Sequence, residues 1–210
     1  ASNALQASSV TADTTAPQLS SYSLNMNTGT ISLTFNEPAK AASFAASAIT
    51  LHDGAPASSG SNQIALTAAS STASSNGLII VVTIAAADLN NLKVNPAVAT
   101  STADSYLIHT TSLIQDMAGN DVVAIADANA KQTAAFVADQ TAPVLNAFDF
   151  HAGTGVLTLS FSETVDLNVL DVTGLTLQND GATPTVSFTM TTNGNFQRTS
   201  NTVYTLSLTT

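Results

Sequence analysis

Three observations predict an all-β fold. Apolar and polar residues alternate in short runs, spacers rich in Gly, Asn, Ser and Asp separate the runs, and helix-period patterning is nearly missing. Six or seven such runs fall within about 115 residues that contain no cysteine, which favours a β-sandwich of immunoglobulin type.

The runs justify themselves in chain order. Gln18–Leu24 (QLSSYSL) is the first. Gly29–Phe35 (GTISLTF) puts Ile31, Leu33 and Phe35 on one face and Thr30, Ser32 and Thr34 on the other, the two-residue period of a half-buried strand. Ala48–Leu51 and Gln63–Thr67 are further β-favouring runs, and Ala68–Gly77 (AASSTASSNG) is a polar loop tip that would also suit O-linked glycans. Leu78–Ile84 (LIIVVTI) is almost continuously apolar and reads as a central strand buried on both faces. Ala85–Leu92 (AAADLNNL) is the one helical candidate, a turn or two between strands, and Val122–Ile125 is the last run of this set.

Self-comparison then divides the chain. From Ala12 to Glu37 against Ala138 to Glu163, at an offset of 126 residues, 11 of 26 positions are identical without a gap. The match resumes, with one inserted residue, between ITLHDGA (Ile49–Ala55) and LTLQNDGA (Leu175–Ala182). The opening SNALQASSVTAD also resembles ANAKQTAAFVAD at Ala128–Asp139. Residues 1–13 therefore read as the C-terminal strand of one repeat, 14–139 as a complete repeat, and 140–210 as the N-terminal part of another. The start, ASNALQASSV, has no basic head followed by an apolar stretch, so the chain reads as beginning after processing or partway along a longer polypeptide.

Three motifs carry a family resemblance. DTTAP (Asp13–Pro17), GTISLTFNE (Gly29–Glu37) and DMAGN (Asp116–Asn120), followed by DQTAP and GVLTLSFSE, resemble the S-layer-type bacterial Ig-like repeat over nearly the entire chain. The resemblance implies a tandem array in a long surface protein such as an S-layer, an adhesin or a flagellar-hair-like filament. Pro38 departs from the second copy, where Thr164 and Val165 follow the glutamate, and is expected to end its strand abruptly.

Glu37 and Glu163 are the only glutamates in the chain, and they occupy equivalent positions. In a sandwich with antiparallel neighbours, the second strand returns to the pole where the first began. Glu37 should then lie near the linker Asp13–Pro17. The turn Asp116–Asp121 should sit at the same pole, because the last strand must finish at the opposite one. Asp13, Glu37 and Asp116, with Asp121 beside them, would converge at the junction with the preceding repeat. Carboxylates without His or Cys nearby are hard oxygen ligands and suit Ca²⁺. In the second copy Asp139, Glu163 and Asp166 would form the same site, its partner turn lying beyond residue 210. The competing reading is purely structural: Asp13 caps a turn, Asp116 initiates one, and Glu37 accepts backbone N–H bonds. Glutamate scarcity favours the metal.

Composition excludes several classes. Charged residues are 9% of the chain, against about 25% in an average globular protein. The net charge of −10 with four basic residues argues against a nucleic-acid partner. No apolar run approaches the roughly 20 residues that span a bilayer, so no membrane insertion is expected in this segment. His52, His109 and His151 have no second histidine at ligand spacing, and no glycine-rich phosphate loop is present. Two glutamates a domain apart cannot act as a catalytic pair. No enzyme is expected. The reading is a structural repeat of a long extracellular fibre, sheath or surface layer, whose partners are neighbouring repeats and other copies in a homopolymer. The alternative is the stalk module of a calcium-dependent adhesin.

Overall fold

The computed structural model describes residues 4–56, 62–191 and 195–208, and the chain separates into two units, Ala1–Asp139 and Gln140–Thr210. Residues 1–3 of the 1–13 segment and residues 209–210 of the 140–210 segment lie outside the described residues. Residues 4–13 form no strand and are exposed throughout.

In the first unit, β1 (Leu19–Asn25) and β2 (Thr30–Lys40) form an antiparallel hairpin. Its turn is held by Asn25, whose Oδ1 accepts the N–H of Asn27 and of Thr28 at 3.0 Å each. The turn closes at Gly29, whose φ of +63° is the left-handed conformation that glycine adopts without strain. Then follow β3 (Ile49–His52), β4 (Gln63–Ala65), β5 (Ser71–Thr72) and β6 (Gly77–Thr83). After these come α1 (Ala86–Val94), β7 (Tyr106–His109), β8 (Gln115–Asp116), β9 (Lys131–Gln132) and β10 (Ala135–Val137). The first sheet runs β10-β1-β2-β6-β5, with β8 also on β2, and the second runs β4-β3-β7-β9. All pairings are antiparallel except β10 on β1. Leu24, Ile31, Leu33, Ile80 and Val82 of the first sheet share one buried core with Ile49, Leu51 and Leu107 of the second. Alternation on β2 is as expected, with Ile31, Leu33 and Phe35 buried and Thr30, Ser32 and Thr34 half-buried.

Three strand expectations are corrected. β6 is buried on one face only: Ile80 and Val82 point into the core while Leu78, Ile79 and Val81 are exposed. A continuous apolar run carries no period, so it cannot reveal that only one face has a covering layer. Pro38 does not end its strand, which continues to Lys40. The ladder to β6 shifts register between Thr34 and Ala39, and Ala39 and Lys40 then pair with β8. Proline falls inside that irregularity, where its missing N–H leaves no ladder bond unmade. Val122–Ile125 is likewise not a continuous strand; it holds only an isolated bridge from Ile125 to His109, beside one from Asp121 to Gln115.

The helix α1 ends before Asn95-Pro96, as expected for a residue whose proline neighbour disfavours helical backbone. Asp88 in its first turn and Lys93 in its last complement the helix dipole.

The second unit contains β11 (Leu145–His151), β12 (Val156–Phe161), β13 (Thr176–Gln178), β14 (Ser187–Thr189), β15 (Asn195–Arg198) and β16 (Val203–Ser207). Its larger sheet runs β11-β12-β16-β15, the order of β1-β2-β6-β5, and β13 pairs with β14 as β3 does with β4. Leu19 faces Phe35 and Leu145 faces Phe161, each just before a register shift. Gly29 and Gly155 take the same positive φ in their two turns. Leu157, Leu159, Val172, Met190 and Leu206 make the core of this unit.

Candidate metal centre

The ladder places the cluster. Ala39 pairs with Asp116, so Glu37, two residues earlier in the irregular stretch of β2, lies beside the start of the DMAGN turn. That turn is closed by the Asp116 N–H donating to the Asn120 carbonyl at 3.0 Å. It requires Gly119, whose φ is +97°. The linker is tied to the turn by Asn120, whose Nδ2 donates to the carbonyls of Asp13 and Thr15 at 3.3 and 3.2 Å. Val123 N–H donates to the Pro17 carbonyl at 2.9 Å. Asn36 adds a clasp: Gln18 N–H donates to its Oδ1 at 2.7 Å, and its own N–H donates to the Gln18 carbonyl at 3.0 Å.

The result is that one carboxylate oxygen each from Asp13, Glu37 and Asp116 lies within 4.8 Å of the others. Oxygens bound to one Ca²⁺ at about 2.3–2.6 Å are at most about 5 Å apart, so the three fit a shared ion. Asp13 is exposed, Glu37 half-buried and Asp116 buried. Their partners differ. Asp13 Oδ1 accepts the Thr15 N–H at 3.0 Å. Asp116 Oδ1 accepts Gly119 N–H at 2.6 Å and Asn120 N–H at 2.7 Å, while Oδ2 accepts Asn120 Nδ2 at 2.7 Å. For these two, the turn-forming role is visible. Glu37 is otherwise: its Oε1 is buried and has no hydrogen-bond partner. The backbone N–H bonds that a structural glutamate would accept do not reach that oxygen.

Electrostatics point the same way. Burial pushes the Glu37 carboxyl above its ordinary range, and the charges of Asp13 and Asp116 push it further. At Asp116 burial also works upward, but the bonds from Asn120, Gly119 and Ala118 outweigh it and hold the carboxyl below the usual range. An ionised Asp116 thus faces a Glu37 that is short of positive charge. The donors of the cluster are carboxylate oxygens alone, with no thiolate or imidazole that would favour a softer metal.

Of the other expected ligands, Asp121 is not in this group, and Asp139, Glu163 and Asp166 belong to the expected second copy of the site. Asp121 Oδ1 accepts from Gln115 Nε2 at 3.0 Å, across its bridge to that residue. Asp139 is ion-paired with Lys93 at 2.8 Å. Glu163 is buried, and Asp166 Oδ1 accepts both the N–H and the Nδ2 of Asn168 at 2.9 Å. Within its described residues the second unit has no counterpart of the Asp116 turn. His52 and His109 are buried in β3 and β7, and among the described residues no group of three close ligands includes a histidine.

Asn36 was not singled out from the sequence. Its signal is visible only with the fold: Ser162, 126 residues on, makes the same clasp with Val144, with bonds of 2.9 and 2.8 Å. No helix among the described residues is long and apolar enough to cross a membrane. No protein-family model matches the chain, and no curated protein matches it.

Proposed function

We propose that this chain is a structural repeat of a long extracellular fibre, sheath or surface layer, built from immunoglobulin-like β-sandwiches in tandem, with Ca²⁺ stiffening the junctions. The observation that carries the reading is the pair of units with one strand order, one hairpin register and one shift, offset by 126 residues. A module repeated along a chain sets a spacing. Lateral packing is supported by the outer face of the first sheet, where Ser21, Ser32 and Thr34 lie beside exposed Ile79 and Val81.

Calcium belongs in this reading because Asp13 precedes the first strand while Glu37 and Asp116 belong to the sheet. An ion held by all three ties the linker to the module and neutralises carboxylates that otherwise repel. A ligand bound only by the folded form stabilises it by about 2.7 kcal/mol at a hundredfold excess over Kd. Melting the chain in EDTA and in millimolar calcium tests this. Calcium should raise Tm, and Glu37→Gln, which keeps size and removes charge, should abolish most of the rise. Identical melting curves for the parent in both buffers would overturn the calcium role. Imaging the native material tests the rest: an ordered polymer fits the structural module, and isolated stalks do not.

A further inference from the structure

The turn that leads into β6 carries a reactive pair, Asn76-Gly77. It is one of two Asn-Gly steps in the chain; the other, Asn193-Gly194, lies outside the described residues. The loop that presents Asn76 is held within its own unit. Thr72 Oγ1 donates to the Val81 carbonyl at 2.6 Å, and Val81 N–H donates to Ser74 Oγ at 2.8 Å. Ala41 N–H donates to Asn76 Oδ1 at 3.0 Å, and Gly77, the first residue of β6, pairs with Ala39 of β2. All of these residues belong to the first unit, far in sequence from both ends of the chain.

Four features of the pair matter chemically. Asn76 is exposed, so water reaches it. Its Oδ1 already accepts a main-chain N–H, which polarises the side-chain carbonyl and stabilises the negative oxygen that develops when Cγ is attacked. Its Nδ2, the leaving group, makes no hydrogen bond among the described residues. Gly77 has no Cβ, and nothing lies within 4 Å of the place where one would stand, so no side chain screens its nitrogen. We propose that Asn76 is a site of spontaneous deamidation. The Gly77 nitrogen attacks Asn76 Cγ and forms a C–N bond; the Cγ–Nδ2 bond breaks, and the proton lost by Gly77 leaves with Nδ2 as ammonia. The product is a five-membered succinimide. Water then adds to one of its two carbonyls and reopens the ring, giving aspartate or isoaspartate according to which C–N bond breaks. Water is the only reagent consumed. Each event leaves one further carboxylate on a chain whose formal charge is −10, and because ammonia departs the charge accumulates with the age of the protein. In the isoaspartate form the main chain gains a methylene just ahead of β6, which the Ala39–Gly77 pairing has to absorb.

Incubating the folded chain at mildly alkaline pH tests this, with peptide mapping by mass spectrometry as the readout. The peptide that contains Asn76 should gain the mass of an amide turned into an acid and should split into aspartate and isoaspartate forms, with Asn76→Asp as the standard for the first. Asn193, in the other Asn-Gly step, reports in the same digest how far the incubation has run. Gly77→Ala puts a methyl group beside the attacking nitrogen and should slow conversion at Asn76 several-fold while leaving Asn193 unchanged; the site is open and at ordinary φ, so folding is retained. Asn76→Gln, which would have to close a larger ring, should remain intact at that position. A parallel incubation in urea separates the reaction of the fold from that of the unfolded chain. An Asn76 that stays intact in the folded chain, that converts only in urea, or that converts equally fast in Gly77→Ala would each overturn the assignment.

Discussion

Removing the Asp88 carboxylate should cost the first unit about 3 kcal/mol. Asp88 is buried in the first turn of α1, and its Oδ2 accepts three hydrogen bonds. They come from Thr67 N–H at 2.9 Å, Thr67 Oγ1 at 3.0 Å and Ser70 Oγ at 2.6 Å. Ser70 Oγ in turn accepts the N–H of Ala85, the residue that precedes the helix and has no side-chain cap of its own. One carboxylate thus fixes the loop between β4 and β5 against the helix N-terminus. In Asp88→Ala the two hydroxyls can turn toward other acceptors, but the Thr67 N–H cannot. A stranded buried donor costs about 1–3 kcal/mol, and bonds to a charged acceptor are worth about 1.5–3 each. Against this, the variant no longer holds a charge out of water, and Oδ1, which has no partner, is removed with it. The balance is about 3 kcal/mol, or near 10 °C in Tm for a unit of this size. Asp88→Asn keeps an acceptor oxygen for the three donors and should lose about 1 kcal/mol. Urea unfolding followed by far-UV circular dichroism gives the midpoint, with the slope expected to stay constant. An Asp88→Ala midpoint equivalent to a loss below about 0.5 kcal/mol would show that the hub is dispensable.

Three further outcomes are expected. Burial lowers the pKa of both His52 and His109, so each stays neutral in the fold while the unfolded chain takes up protons below 6.5. Stability should therefore fall as pH drops through that value toward the folded pKa, by up to about 1.4 kcal/mol per pH unit per histidine, and His52→Phe should flatten the profile of urea midpoints. Gly119→Ala should lose about 1–2 kcal/mol through its positive φ alone, since nothing lies within 4 Å of the added Cβ, whereas Gly77→Ala, equally open but at ordinary φ, should be near neutral in the same melts. Calcium's effect on Tm should shrink as pH falls toward and below the ordinary glutamate value of 4.5, because the raised pKa of Glu37 has that carboxylate taking up a proton above the ordinary value, in competition with the ion.

The all-β class and the main hairpins were legible because Gly29–Phe35 alternates and its flanking turns use Asn and Gly. β7, β9 and β10 were not, since strands of two to four residues are too short to show a period. Of the site, Glu37 was legible through rarity, and Asp13 and Asp116 through the pole to which each strand returns. Asp121 is nearer to Asp116 in sequence than Glu37 is, yet it is not in the cluster. The turn folds Asp116 back onto its own N–H groups and leaves Asp121 facing Gln115. Asp88 gave no signal, because what makes it a hub is burial beside Thr67 and Ser70, residues that look like ordinary loop polars in the sequence.

The two units also separate what the fold needs from what the junction needs. β4 and β14 make the same pairs with β3 and β13, and β6 and β16 with β2 and β12, although the offset there is 124 rather than 126. Sequence identity has faded by that point, so the loops have absorbed the change in length while the ladders kept their order. Many alternating sequences satisfy such a ladder, because only the inward face is constrained. Identity is instead concentrated from Ala12 to Glu37, where it takes in Asp13 and Glu37, which lie outside the hydrophobic core, along with Leu19, Leu33 and Phe35 within it. A sandwich alone gives no reason to keep a half-buried glutamate with an unsatisfied oxygen, since glutamine or serine would cost less. A bound cation would give one, which makes Glu37→Gln the substitution that separates the two demands: stabilising or neutral if the carboxylate serves only the fold, destabilising in calcium if it serves the proposed ion site.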